Sequence, residues 1–234
     1  NPKNVPPRYR AELMKLMATF VDSELAGAAG FADVINAAPG LKERIAAAKI
    51  VMEKTDNGAK VLSVMGEFGA NTDKYATHHP WTARLERAAD IGQRRSEQDM
   101  RLAVFNYPLE GWADSVVMNL LMGRAVAVQL AELSLVSYQP LAEAFRAIAP
   151  VEARHAELAE EGLAKLAEGG AADLQASVDY WWPRVAASFG SETSGKFDGL
   201  KAMGLRKTPN AELKIRWAAE TGAVLEKLGL KPAA

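Results

Sequence analysis

The sequence predicts an all-α protein, in which four long helices form an antiparallel bundle and further helices follow at the C-terminus. Hydrophobic residues make up 49% of the 234 residues and aromatic residues only 7%, a balance that favours helices. In the long segments, apolar residues recur at i, i+3 and i+4 spacing. The chain is also long enough to bury a full core. We therefore expect a single domain over 1–234, with a four-helix core over about 8–168 and C-terminal helices over 171–230 packed on it.

Strong helix breakers set the predicted boundaries. Pro39-Gly40 separates the first two segments, the turn at Asn106-Tyr107-Pro108 precedes the third, and Gly169-Gly170 ends the fourth. The four segments have similar lengths, as an antiparallel bundle with short turns requires. The predicted long helices run over about 8–36, 41–69, 111–137 and 140–168.

The remaining segments carry weaker patterns. Residues 71–80 form a polar stretch with His78 and His79, which we expect to be a solvated loop. The charged stretch Trp81–Met100 is predicted to be a helix that faces a partner subunit, and the region of Trp181 and Trp182 is expected to face the same partner, because arginine and aromatic residues are enriched in interfaces. A last helix is predicted to begin near Pro209.

Composition excludes several classes of function. The net charge of −1 argues against a general nucleic-acid binder, and a chain without cysteine has no thiolate chemistry. With only three histidines, any metal site must be rich in carboxylate. The apolar middle of the third helix is interrupted by Asn119, Arg124 and Gln129, so we interpret it as a core helix rather than a membrane span. A cytoplasmic location is expected.

A Glu-x-x-His pair lies on the inward face of the fourth helix. Glu152 and His155 continue the apolar stripe that Phe145 and Ile148 begin. Charged groups on such a stripe must be paired or bound to a metal, and di-iron carboxylate bundles present two ligands in this pattern. The alternative is a half-buried histidine that pairs with a neighbouring acid.

Acids on the other helices favour the metal site. Antiparallel helices of matched length bring their midpoints to one level, and Glu24, Glu53 and Asp56 lie near those midpoints. The sequence therefore predicts a metal centre at the middle of the bundle, and its candidate ligands are Glu24, Glu53, Asp56, Glu152 and His155.

Six sequence segments resemble the di-iron subunits of the phenylacetyl-CoA epoxidase family. They are SELAG around Glu24, AKIVME ending at Glu53, NYP with GWAD in 106–114, PVEARH in 150–155, DYWWPRVAASFG in 179–190, and NAEL in 210–213. The resemblance implies a ferritin-like fold, a di-iron centre and oxidation of an aromatic acyl-CoA. It also implies assembly with a related helical subunit, or with copies of the chain itself, and with a reductase. The segment with Trp181 and Trp182 points to the catalytic type of subunit.

Two positions depart from the pattern that the resemblance implies. Asp56 stands in place of a histidine, and Gly123 stands in place of a carboxylate. Two interpretations follow. The chain is a variant di-iron monooxygenase with an altered ligand set, or it is a structural or regulatory subunit with a degenerate site, in which Lys49 neutralises the acids instead of a metal.

Overall fold

The computed structural model describes residues 2–95, 97–170 and 173–233. Within these ranges the protein is helical and has no β-strand, so the prediction of an all-α fold is confirmed. Short 3-10 turns occupy Pro2–Asn4, Ile35–Ala37 and Ala103–Asn106. The α-helices are α1 (Pro7–Ala32), α2 (Leu41–Glu67), α3 (Thr72–His78), α4 (Gly111–Leu133), α5 (Gln139–Glu168), α6 (Leu174–Ala187), α7 (Phe197–Ala202) and α8 (Asn210–Lys227).

The four long helices pair as α1 with α2 and α4 with α5, and α2 closes the bundle against α5. One apolar cluster fills one end of the bundle, where Leu13, Met17 and Phe145 are fully buried. A smaller cluster around Phe31 and Ile50 lies further along α1 and α2. Between these two clusters, α1, α2 and α5 carry buried polar side chains, namely Glu24, Lys54 and Glu152. The candidate site therefore lies inside the bundle.

Helix α4 is the most apolar helix of the described residues. By length and composition alone it could cross a membrane, but more than half of its most apolar part is buried in the protein, against α5, α6 and α8. Gly123 permits close contact with α5, because a Cβ at this position would lie 3.2 Å from Cβ and 3.3 Å from Cα of Ala156. The glycine that breaks the expected ligand pattern is therefore a packing residue.

The prediction of a helix over Trp81–Met100 is wrong. The described residues of this range form turns and bends. Arg101, which is fully buried, pairs with Asp99 and donates hydrogen bonds to the carbonyls of Pro80 (2.6 Å) and Ala83 (3.0 Å). These carbonyls are satisfied by a guanidinium rather than by helical N–H groups. Tertiary contacts thus override the local helix propensity.

The stretch predicted as a solvated loop contains a short helix, α3. Asn71 caps it, because its Oδ1 accepts a hydrogen bond of 2.9 Å from the backbone N–H of Lys74. His78 is exposed, whereas the ring of His79 packs against that of Tyr75 at 4.1 Å between centroids. The expectation of a solvated histidine therefore holds for His78 alone.

Trp181 does not face a partner. Its side chain is fully buried, and its Nε1 donates a hydrogen bond of 2.9 Å to Asp114 on α4. Trp182 is half-buried and lies against Trp217 of α8, with 4.4 Å between ring centroids. These tryptophans fasten α6 and α8 to the bundle.

Candidate metal centre

Helix α5 brings Glu152 and His155 into the centre of the bundle. Residues three apart lie on one helix face, and this face is the core face: Glu152 is fully buried and His155 is 3% exposed. Glu24 reaches the same level from α1 and is also buried. These three of the five predicted ligands therefore come together, and Glu53 joins them through a hydrogen bond to His155.

Helix α2 presents a different pair of residues from the predicted one. Lys54 and Asn57 are buried, while Glu53 and Asp56 lie one residue earlier and are rotated by about 100° around the helix axis. The side chain of Asp56 is 64% exposed and pairs with Lys60. Asp56 therefore does not join the cluster, which corrects its predicted position in the pocket.

The sequence carried a signal for this rotation. The buried residues of α2 include Ala47, Ile50, Val61 and Val64, and a stripe at i, i+3, i+4 spacing through them passes through 54 and 57. The family resemblance instead aligns the second Glu-x-x-His pattern with Glu53 and Asp56.

A lysine occupies the space between the two buried glutamates. The Nζ atom of Lys54 lies 2.8 Å from Oε2 of Glu152 and 3.6 Å from Oε1 of Glu24. Asn57 donates a hydrogen bond of 2.9 Å from Nδ2 to Oε1 of Glu152. Both carboxylate oxygens of Glu152 therefore accept hydrogen bonds from nitrogen donors of α2.

His155 completes the network on its outer side. Its Nε2 donates to Oε2 of Glu53 at 2.7 Å, and its Nδ1 lies 3.4 Å from Oε1 of Glu152. Glu53 reaches the histidine from the edge of α2, where its side chain is 25% exposed. Lys49 is 58% exposed and lies 3.7 Å from Glu53, so the internal counter-charge is Lys54 rather than the predicted Lys49.

Burial and pairing act in opposite directions on these groups. Burial lowers the pKa of Lys54, but Glu152 and Glu24 outweigh it and leave that pKa above its usual value. Burial raises the pKa of Glu152, yet the Lys54 ammonium and His155 hold it well below the usual range. Burial and the adjacent Glu152 carboxylate raise the pKa of Glu24 well above its usual value, although Lys54 opposes them. The result is a Lys54–Glu152 ion pair beside a glutamate whose pKa is raised by burial and by the charge of Glu152.

This arrangement does not fit a di-iron centre. No group of three or more histidine, cysteine, aspartate or glutamate side chains is placed to hold a metal in the described ranges. The ammonium of Lys54 stands where a cation bridging Glu24 and Glu152 would lie, and position 123 supplies no ligand. Glu24, Glu53, Glu152 and His155 are gathered. Both oxygens of Glu152 and the Nε2 atom of His155 are engaged within the protein, whereas Oε2 of Glu24 and Nδ1 of His155 make no hydrogen bond.

The cluster also has little space beside it. The adjacent cavity, which Gly123, Asn119 and His155 help to line, has a volume of about 30 Å³. That is room for water, since a single water needs about 10–15 Å³ by the same measure. A substrate does not fit at the cluster in this conformation.

The fold and the retained acids at its centre define the class: this is a ferritin-like helical bundle protein. A model of the family described as phenylacetic acid catabolic protein matches residues 1–234, and the chain belongs to that family. It is 25% identical over 233 residues to one of the subunits of 1,2-phenylacetyl-CoA epoxidase from Escherichia coli (strain K12), a match that covers 97% of this chain and 70% of that protein. The family expected from the sequence segments is thus confirmed.

Proposed function

We propose that this chain is a non-catalytic subunit of a multicomponent epoxidase of the phenylacetyl-CoA type. One observation carries the proposal: the buried Lys54 ammonium lies 2.8 Å from Glu152 and 3.6 Å from Glu24, and supplies the positive charge between them. A carboxylate cluster with its own internal cation has no electrostatic need for a metal. The chain would contribute a helical scaffold to the complex, while another subunit performs the oxidation.

Two further features support this role. The cavity of about 30 Å³ on the His155 side of the cluster leaves no room for an acyl group beside that histidine. Gly123 packs against Ala156 so closely that a carboxylate side chain could not be added without separating α4 from α5. The site thus differs from a di-iron centre in three ways: it contains an internal positive charge, it has too few ligands, and the cavity beside it is small.

The partners follow from this role. A non-catalytic subunit requires a catalytic one, and the E. coli relative is named as one subunit of an epoxidase. We expect association with a related helical chain that carries the complete ligand set. The acyl-CoA substrate and the reductase remain predictions for the complex as a whole.

Metal analysis of the purified chain after anaerobic incubation with Fe²⁺ tests the proposal. We expect no stoichiometric iron in the wild-type protein. Iron retained through gel filtration and lost in a His155→Ala variant would support the competing proposal of a variant di-iron enzyme, in which Lys54 moves aside for the metal.

Reconstitution of the complex tests the role directly. The chain would be co-expressed with the catalytic subunit from the same organism, and turnover of phenylacetyl-CoA would be measured with the wild type and with His155→Gln. We expect equal turnover, because the chemistry lies in the other subunit. Loss of turnover in an intact complex would contradict the proposal.

A further inference from the structure

A second, much larger cavity lies between α1, α4 and the segment 187–210. Its volume of about 420 Å³ falls within the range of about 300–1,000 Å³ that small-molecule sites occupy. Apolar side chains from four parts of the chain line it, among them Leu16, Phe20, Phe105, Leu130 and Phe189. An apolar chain or ring of a ligand would lose its contact with water here.

The charged residues of this cavity are unbalanced. Four cations and two glutamates line it. Lys15 forms an ion pair with Glu12 at 3.2 Å. Glu24 lies 3.6 Å from Lys54, a residue that does not line this cavity. Three cations thus remain for a ligand: Arg95, Lys196 and Arg206.

The two arginines are held by neutral groups. Arg95 donates to the hydroxyl of Thr19 at 2.9 Å and to the carbonyl of Met100 at 2.6 Å. Arg206 is half-buried and donates to the Oε1 atom of Gln129 at 2.9 Å. Among the described residues no carboxylate lies within ion-pairing distance of either guanidinium. Arg95 is exposed, whereas the half-buried Arg206, whose hydrogen-bond partner is neutral, retains a strong preference for an anion.

We infer that this cavity binds a free amphipathic carboxylate, with its apolar body between α1 and α4 and its carboxylate at Arg206 and Arg95. A carboxylate matches the planar guanidinium in a bidentate geometry. Of the central cluster only Glu24 lines this cavity, whereas Lys54, Glu152 and His155 line the smaller one. The inference does not depend on the proposed function, since it uses neither the metal nor the partner subunit.

Calorimetric titration with decanoate tests this inference on the full chain. We expect one saturable site, and decanol, which has the same apolar chain without the charge, should bind at least about tenfold more weakly. Equal affinity for decanol, or no binding of decanoate, would overturn the proposal. Binding of decanoyl-CoA without binding of decanoate would also overturn it, because the anion would then belong to a larger head group outside the cavity.

Variants locate the site. Arg206→Gln should reduce decanoate affinity about tenfold, whereas Arg154→Gln, which removes an exposed arginine paired with Glu157 and Glu161, should not change it. Leu16→Trp should block binding by filling the cavity, with helicity unchanged by circular dichroism. Decanoate binding that survives both Arg206→Gln and Leu16→Trp would place the site elsewhere. A metal-free chain that fails to bind decanoate would refute this inference and leave the proposed function intact.

Discussion

The Nζ atom of Lys54 lies 2.8 Å from Oε2 of Glu152, and these side chains are 11% and 0% exposed. The pair joins α2 to α5 at the level where Glu24 arrives from α1. Desolvation of each charge is costly and is offset only while its partner is present. The relationship between these two residues therefore controls both the stability of the bundle and its capacity for metal.

Removal of the internal cation should strongly destabilise the fold. We expect Lys54→Ala to lower the free energy of unfolding by about 3–5 kcal/mol, because Glu152 would remain as an uncompensated buried charge. Lys49→Ala is the matched control on the same helix. Since Lys49 is 58% exposed, its loss should cost less than about 1 kcal/mol. Urea denaturation of both variants measures the difference, and equal effects would show that Lys54 is not the counter-charge.

A double substitution should create a metal site. Lys54→Glu with Asn57→His removes the ammonium and adds two ligands on the inward face of α2, opposite Glu24, Glu152 and His155. Carboxylate and imidazole donors suit Fe²⁺ and Mn²⁺. We expect this variant to retain a divalent ion through gel filtration, measured by elemental analysis.

The control for metal gain uses the positions that the sequence alone would suggest. Asp56→His with Gly123→Asp should acquire no metal, because residue 56 points to solvent and a side chain at 123 collides with Ala156. If this variant bound metal and the Lys54–Asn57 variant did not, the orientation of α2 described above would be wrong.

The pH dependence of the free energy of unfolding should reveal the raised pKa of Glu24. Its pKa in the folded protein lies above the usual value of 4.5, so above that pH the folded state holds a proton that the unfolded state has released. Its contribution to stability is therefore present at low pH and lost as pH rises towards the folded pKa. Glu152 acts in the opposite sense, since its lowered pKa makes its contribution disappear only as pH falls below 4.5.

The Glu24→Gln variant isolates the contribution of Glu24 to the pH dependence of stability. Relative to this variant, the wild type should lose unfolding free energy as pH increases from 4.5, because glutamine cannot ionise beside Glu152. Denaturation curves at a series of pH values give the comparison. Parallel stability profiles of the two proteins would mean that Glu24 is ionised in the folded state.

Two helical glycines should respond in opposite ways to alanine. Gly123→Ala should destabilise the protein by about 1–3 kcal/mol through overpacking, since the new Cβ would lie 3.3 Å from the backbone of α5. Gly162→Ala should stabilise it by about 0.5–1 kcal/mol, because its Cβ would meet only Val116 at an ordinary 3.4 Å. Thermal unfolding distinguishes the two outcomes, and stabilisation by both substitutions would contradict the close packing at Gly123.

The sequence by itself determined the elements with strong local signals. Apolar stripes at helical spacing and breakers such as Pro39-Gly40 were sufficient for the four long helices, whose observed ends lie within a few residues of those predicted. Glu152 and His155 were recognisable because their own helix carries a clear apolar stripe. Family membership was recognisable from short segments that hold many specific side chains.

Tertiary structure decided what local patterns leave open. A rotation of about 100° separates Glu53 from Lys54. The apolar stripe of α2 indicates which of them faces inward, but only the packing of α2 against α1 and α5 shows that Lys54 meets the acids. The sequence shows that position 123 lacks a carboxylate, and the glycine's cost in a helix predicts a packing role. The distance to Ala156 shows what it packs against. The stretch Trp81–Met100 has local helix propensity, yet its described residues form turns and bends. The buried Arg101, which follows the stretch, donates a hydrogen bond to the carbonyl of Ala83, 18 residues earlier. The sequence gives the identity of each side chain, but it does not give the partner of a buried charge. Lys54 pairs with Glu152, which lies 98 residues further along the chain, and only the folded structure brings the two together.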